Sequence, residues 1–275
     1  MKFGFVLPNN WGLTDVGDVV ALAAAAEERG FDSVWVNHHV LNVGYIAERL
    51  DTRPYYDALT ILTWAAATTT TVKLGTSVLV LPYLHPMVLA KQLATLDQLS
   101  AGRVIAGVGV GSLPEENEAL GVGYDQRGAE SDEALDIMTS LWSSPTADHE
   151  GERFQFTELR TGPQPRQAPL PIWVGGSGGP ARRRAAHYGQ GWHPMCSVSG
   201  LARRLPRMVE ALEAEGRSLS SIVIAPRVAT SQLPDGAAVE AFAQAGADQL
   251  IVGTTSPDIN DIRRDLDHLA TLIAS

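Results

Sequence analysis

The sequence predicts an α/β fold, a (β/α)8 TIM barrel in one domain, residues 1–275, with an insertion over residues 112–170 between strands four and five. Three observations predict it. Eight short β-rich runs are each followed by material long enough for a helix. Most of these runs are continuously apolar instead of alternating, the pattern of parallel strands covered on both faces by right-handed crossovers. The chain of 275 residues is close to the length such a barrel takes. The rival, a doubly wound sheet, is disfavoured because the first turn, Pro8-Asn9-Asn10-Trp11-Gly12, carries no G-x-G-x-x-G fingerprint.

Each element follows from its period. Residues 2–8 form the first strand, and 18–29 a helix in which Val19, Leu22, Ala23 and Ala26 recur at helical spacing before Gly30 stops it. Residues 32–37 form strand two, 57–69 a helix, 73–82 strand three, 86–99 a helix and 103–111 strand four. The alternation then breaks. Residues 115–120 and 128–142 read as helices, and the polar stretch around Glu152-Arg153-Phe154-Gln155-Phe156 as a short hairpin. A long insertion between core strands of a compact domain usually carries function. The βα pattern resumes with strands at 170–175, 191–194, 221–228 and 249–253 and helices at 180–189, 200–215, 236–245 and 257–273.

Composition narrows the function. Hydrophobic residues at 45% with 19% charged exclude a disordered chain, and the net charge of −10 leaves no basic surplus for nucleic acid or an anionic membrane. Small molecules and other proteins remain as partners. The single cysteine, Cys196, excludes an internal disulfide framework and a Cys-rich metal site and reads as a small buried thiol. Met1-Lys2 leads straight into an apolar strand and no apolar run approaches 20 residues, so a cytoplasmic protein is expected. The histidines show no metal-ligand spacing, so no metal is expected.

In such a barrel the functional residues sit where strands end. Strand two ends in Asn37-His38-His39, and a histidine at that end can give or take a proton near neutral pH. Strand four places Gly107, Gly109 and Gly111 on one face, opposite valines that include Val110, which implies that something bulky approaches the backbone there. Strand five runs into Gly175-Gly176-Ser177-Gly178-Gly179-Pro180, a glycine turn with proline in the first helical turn, a geometry that presents amides to phosphate. Arg182, Arg183 and Arg184 behind it read as a solvated face.

Several segments resemble the luciferase-like monooxygenase superfamily: Phe3-Gly4-Phe5-Val6-Leu7-Pro8, Gly30-Phe31-Asp32-Ser33-Val34-Trp35-Val36 and Leu74-Gly75-Thr76-Ser77-Val78-Leu79. Leu96-Asp97-Gln98-Leu99-Ser100-Ala101-Gly102-Arg103 with the glycine strand, and Pro171-Ile172-Trp173-Val174-Gly175-Gly176, complete the order. The resemblance implies a barrel that binds coenzyme F420 or, alternatively, FMN, and it is nearest to the F420-dependent oxidoreductases. It implies a non-proline cis peptide at Ser77-Val78 behind the ring, the strand of Gly107, Gly109, Val110 and Gly111 beside it, and Gly175, Gly176, Ser177 and Gly178 at the phosphate. His193 and Met195 would close the phosphate pocket, and His39 would lie at the reactive face, with His38 the second choice for proton transfer. Places at strand ends suggest Asn10, Trp11, Tyr45, Tyr83 and Arg227 for the substrate wall.

Two departures argue against the family's sugar-phosphate chemistry: His38 stands where many members have aspartate, and Ser112 where that branch has a glutamate. No lysine follows Lys91, although that branch uses lysines on the substrate phosphate. The implied activity is hydride transfer between the deazaflavin C5 and a small organic substrate, in a homodimer. The alternatives are an FMN-dependent monooxygenase fed by a separate reductase, and a non-catalytic flavin- or deazaflavin-binding protein.

Overall fold

The computed structural model describes residues 1–274. Its strands are β1 (Lys2–Val6), β2 (Ser33–Val36), β3 (Lys73–Thr76), β4 (Leu79–Val80), β5 (Val104–Gly109), β6 (Thr146–Glu150), β7 (Gln155–Arg160), β8 (Ile172–Gly175), β9 (Gly191–His193), β10 (Val223–Ile224), β11 (Arg227–Ala229) and β12 (Gln249–Gly253). Its helices are α1 (Val16–Glu28), α2 (Gly44–Leu50), α3 (Ala58–Thr68), α4 (Pro86–Leu99), α5 (Pro114–Ala119), α6 (Arg127–Ser143), α7 (Gly179–Tyr188), α8 (Val198–Ala214), α9 (Gly236–Gln244) and α10 (Ile259–Ala274). No helix among the described residues is long and apolar enough to cross a membrane.

The parallel sheet runs β10-β9-β8-β5-β3-β2-β1-β12-β11, and the chain between β10 and β11 joins its two ends. There the Ala225 amide donates to Trp192 O at 2.9 Å and the Ile251 amide to Pro226 O at 3.1 Å, so the ring closes around one interrupted strand. Two strands read as continuous from the sequence are in fact broken. The strand at 221–228 yields at Pro226, which has no amide to donate. The strand at 73–82 yields at Ser77-Val78, where the peptide is cis and β4 resumes against β5.

Two cores result. The larger lies between sheet and helices and takes the apolar faces of α1, α3, α4, α6, α8 and α10. The smaller fills the barrel interior with Val6, Trp35, Ile105, Trp173, Ala225 and Ile251. Three glycines make room for its two indoles: a Cβ on Gly75 would stand 2.3 Å from the Trp35 ring, one on Gly191 2.4 Å from Trp173, and one on Gly4 2.5 Å from Trp35 Nε1. The Trp35 and Trp173 centroids are 5.0 Å apart, and both Trp35 Nε1 and Gln249 Nε2 donate to Ser33 Oγ at 2.8 Å. A packed plug therefore closes the barrel beneath its mouth.

The segment 112–170 holds α5, α6 and the antiparallel hairpin β6–β7. Helix α6 packs against α4 and α7 in the outer layer. The Asp97 and Arg103 of the quoted Leu96–Arg103 segment turn out to be structural. Asp97 accepts from the amides of Val104 and Gln167, and the Arg103 guanidinium donates to the carbonyls of Ala66 in the last turn of α3 and of Thr69 and Val72 beyond it.

Candidate active site at the mouth of the barrel

A cavity of about 600 Å³ opens at the C-terminal ends of the strands. Its floor comes from a bulge. Between β3 and β4 the chain swings Ser77 and Val78 inward, and the glycines of the neighbouring strands accept them. A Cβ on Gly107 would lie 1.6 Å from Thr76 O, one on Gly109 2.6 Å from Val78 Cγ2, and one on Gly175 2.9 Å from Val78 Cγ1. The bulky group expected against the glycine face of this strand is thus the protein's own bulge. Gly107 lies beneath it and does not reach the cavity wall, whereas Gly109, Val110 and Gly111 do.

One rim is built by the residues that follow β2. Asn9 holds the turn: its side-chain oxygen accepts from the Asn37 amide at 3.0 Å and its Nδ2 donates to Asn37 O at 2.9 Å. Beyond it the two histidines diverge. His38 turns inward and is buried, its Nδ1 accepting from the Val80 amide at 3.2 Å; burial pushes its pKa down to about 4 and keeps it neutral. His39 turns to α5. Its Nδ1 donates to Glu116 Oε2 at 2.5 Å, and its Nε2 accepts from Tyr45 OH at 3.2 Å.

Glu116 is fully buried, and its other oxygen accepts from the amides of Val40 at 2.7 Å and Leu41 at 3.0 Å. Burial acts to raise its pKa, but the His39 hydrogen bond and the Leu41 and Val40 amides outweigh it and hold the carboxyl below the ordinary carboxylate range. Glu116 thus fixes the ring and tautomer of His39, with Nε2 as an acceptor toward Tyr45 and the cavity.

The opposite rim is the turn from β8 into α7. The amides of Gly176, Ser177 and Gly178 have no protein acceptor among the described residues, and they stand at the N-terminus of a ten-residue helix with Pro180 in its first turn. Unpaired amides at a helix N-terminus are a geometry suited to an anion. Arg184, read from the sequence as part of a solvated face, is instead buried and lines the cavity, because Asp132 on α6 holds it through Nε at 2.6 Å and Nη2 at 3.0 Å.

Between the rims, His193 is sealed. Its Nδ1 donates to Ala225 O at 2.7 Å, its Nε2 accepts from Ser77 Oγ at 2.8 Å, and its ring stacks on Trp35 at 5.4 Å. Burial brings its pKa down to about 4. Arg227 reaches the same serine, its Nη1 donating to Ser77 O at 2.9 Å, Ser77 Oγ at 3.1 Å and Asn37 Oδ1 at 2.5 Å.

The cavity therefore brings together His38, His39, Ser77, Val78, the glycines of β8 and its turn, His193 and Met195. Of the residues suggested for a substrate wall it takes Asn10, Tyr45 and Arg227. It does not take Trp11, whose ring carries the Arg49 guanidinium at 4.5 Å, nor Tyr83, whose hydroxyl donates to Asn117 on α5 at 2.8 Å. Cys196 is half-buried. Sequence reasoning missed Glu116, Arg49, Tyr55 and Arg184. The one available signal was a Glu-Glu-Asn run opening a short helix directly behind the glycine strand. No cluster of three or more metal-ligating side chains occurs among the described residues.

The sequence and the fold have known counterparts. The family model for luciferase-like monooxygenases matches residues 1–270. The F420-dependent glucose-6-phosphate dehydrogenase of Kineococcus radiotolerans is 35% identical over 216 residues, 75% of this chain and 61% of that protein, so the chain spans about three-fifths of that relative's length. The enzyme of the same name from Beutenbergia cavernae is 34% identical over 243 residues, 84% of this chain and 69% of that one. Among solved structures, an F420-dependent secondary alcohol dehydrogenase in complex with an F420-acetone adduct superposes with a TM-score of 0.84 at 20% identity, covering 99% of this chain and 98% of the other. The monooxygenase RslO1 from Streptomyces bottropensis gives 0.85 at 22% identity over 100% and 99% of the two chains. This chain belongs to the luciferase-like monooxygenase family.

Proposed function

We propose that this protein is an F420-dependent oxidoreductase that moves a hydride between the C5 position of the deazaflavin and a small organic substrate, with His39 taking or giving the accompanying proton. The observation that carries the reading is the Glu116–His39–Tyr45 line at the open mouth of the cavity. Relatives at 34–35% identity that are named as F420-dependent enzymes support the choice of cofactor.

The residues present fit such a group. The unpaired amides of Gly176, Ser177 and Gly178 suit its phosphodiester, and Val78, Val80 and Val110 offer an apolar wall to a flat ring. When bound, the deazaflavin supplies the hydride donor or acceptor at C5 and reacts poorly with oxygen. The chain supplies position and a proton path. A substrate hydroxyl beside Tyr45 passes its proton to the tyrosine oxygen as the tyrosine proton moves to His39 Nε2. The Glu116 carboxylate faces the imidazolium so formed, and the reverse sequence serves carbonyl reduction. The homodimer inferred from the family belongs to the same proposal, and light scattering in solution tests it.

Replacing His39 by Gln tests the mechanism. Turnover is expected to fall about 100-fold or more while F420 affinity stays within about threefold. Turnover that persists with cofactor bound contradicts the role. Oxygen uptake coupled to product formation contradicts the cofactor chemistry.

A further inference from the structure

Three hydrogen-bonding side chains on one side of the cavity have more donors than the protein uses. Arg49 on α2 donates through Nη2 to Asn10 O at 3.1 Å and stacks on Trp11, yet its Nε is buried with no partner. The Tyr55 hydroxyl is likewise buried without a partner. Arg227 spends only Nη1 on protein acceptors, leaving Nε and Nη2.

Among the described residues neither arginine enters an ion pair. The acid on the same rim, Glu116, has both oxygens committed to His39, Val40 and Leu41. The cavity therefore holds two cations without a counter-charge, in a chain whose net charge is −10. Hydrogen bonds bring the two arginines together: Arg227 donates to Asn37 Oδ1, Asn37 Nδ2 donates to Asn10 Oδ1 at 3.1 Å, and Arg49 donates to Asn10 O, with Tyr55 in the lining of the same cavity. A half-buried guanidinium with unpaired N–H groups and no counter-charge is costly to the folded state, and cavities keep such groups where a ligand completes them.

We infer that Arg49, Tyr55 and Arg227 form the receptor for a carboxylate carried by the substrate, an inference that rests on the oxidoreductase reading above and deepens it. A planar carboxylate matches the guanidinium fork and leaves one oxygen for a tyrosine hydroxyl. The Gly176–Gly178 amides across the cavity already provide for a phosphate.

The cofactor could supply carboxylates or a polar ring edge to the same donors, so the test separates the two sources. Calorimetric titration of the intact protein at neutral pH with benzoate, and with benzamide as its uncharged counterpart, is run with and without saturating F420. Benzoate is expected to bind at least about tenfold tighter than benzamide, with F420 changing its affinity by less than about threefold. Tyr55→Phe removes one unpartnered hydroxyl and is expected to weaken benzoate about threefold or more. Arg227→Gln is expected to weaken it more than tenfold. For Tyr55→Phe, whose hydroxyl has no protein partner, the unfolding temperature is not expected to fall by more than a few degrees, where a structural role would lower it.

Equal binding of benzoate and benzamide overturns the inference, as does benzoate affinity unmoved by both substitutions. Exclusion of benzoate by F420 also overturns it, assigning the cluster to the cofactor. Failure of the oxidoreductase reading registers separately, as an F420 absorbance that no substrate changes, and leaves these binding constants where they are.

Discussion

The two rims of the cavity bind in opposite ways. On the β2 and α5 side the groups of the proposed proton path are paired within the protein: Glu116 holds His39, His39 meets Tyr45, and two backbone amides hold Glu116. On the β8 and α7 side the amides of Gly176, Ser177 and Gly178 are left unpaired. In the proposed reaction the first rim handles the proton and the second receives the anionic part of the cofactor, where glycine keeps side chains out of the way.

The largest effect expected is on stability, because each side of the cavity carries a buried histidine that must stay neutral, His38 after β2 and His193 at the end of β9. With folded values of about 4 against the ordinary 6.5, the unfolded chain takes up protons first as pH falls. The stability they confer is complete above pH 6.5 and is lost as pH falls toward 4, by up to about 3 kcal/mol each. Urea unfolding at pH 7 and pH 4.5 measures the loss, and His193→Gln should remove about half of it.

Glu116→Gln breaks the satisfied rim. Turnover is expected to fall about 100-fold, since the imidazolium loses its carboxylate, while F420 affinity is retained. Because the folded Glu116 titrates below an ordinary carboxylate, the stability it adds is present above the ordinary carboxylate pKa and fades as pH drops through its own lowered value. The stability gap between wild type and variant should close in that acid window, as unfolding curves across it will show. Gly178→Ala sharpens the other side. Its Cβ would find nothing closer than Pro180 Cδ at 3.8 Å, so stability should hold within about 0.5 kcal/mol while F420 affinity falls about five- to tenfold. Unchanged affinity would remove the amides from the phosphate site.

What the sequence revealed follows the same division. The glycine turn before α7 is local, and its open amides at a helix N-terminus read directly from consecutive residues. So do α4 and β12, where a proline start or a continuous apolar run between turn signals leaves little freedom. The Glu116–His39 pair spans 77 residues of sequence and depends on α5 docking over the β2 loop, which no period reveals. Arg184 faces inward because of Asp132, 52 residues earlier. The glycines of β5 did announce a close approach, but the approaching groups, Thr76 O and Val78, belong to the end of β3 and the bulge after it, and period two carries no information about neighbours. Helix α2 was readable and was missed: Ile46 and Leu50 are an i, i+4 apolar pair, both buried.

The central claim is that a hydride and a proton leave by different routes, the hydride at the cofactor and the proton through His39. Its most direct test is transfer of label from reduced F420 carrying deuterium at C5, under argon, to enones, imines and carbonyl compounds with and without a carboxylate. The account predicts one deuterium per product molecule with the rate falling about 100-fold in His39→Gln. Product without label, or product formed only when oxygen is admitted, would contradict it.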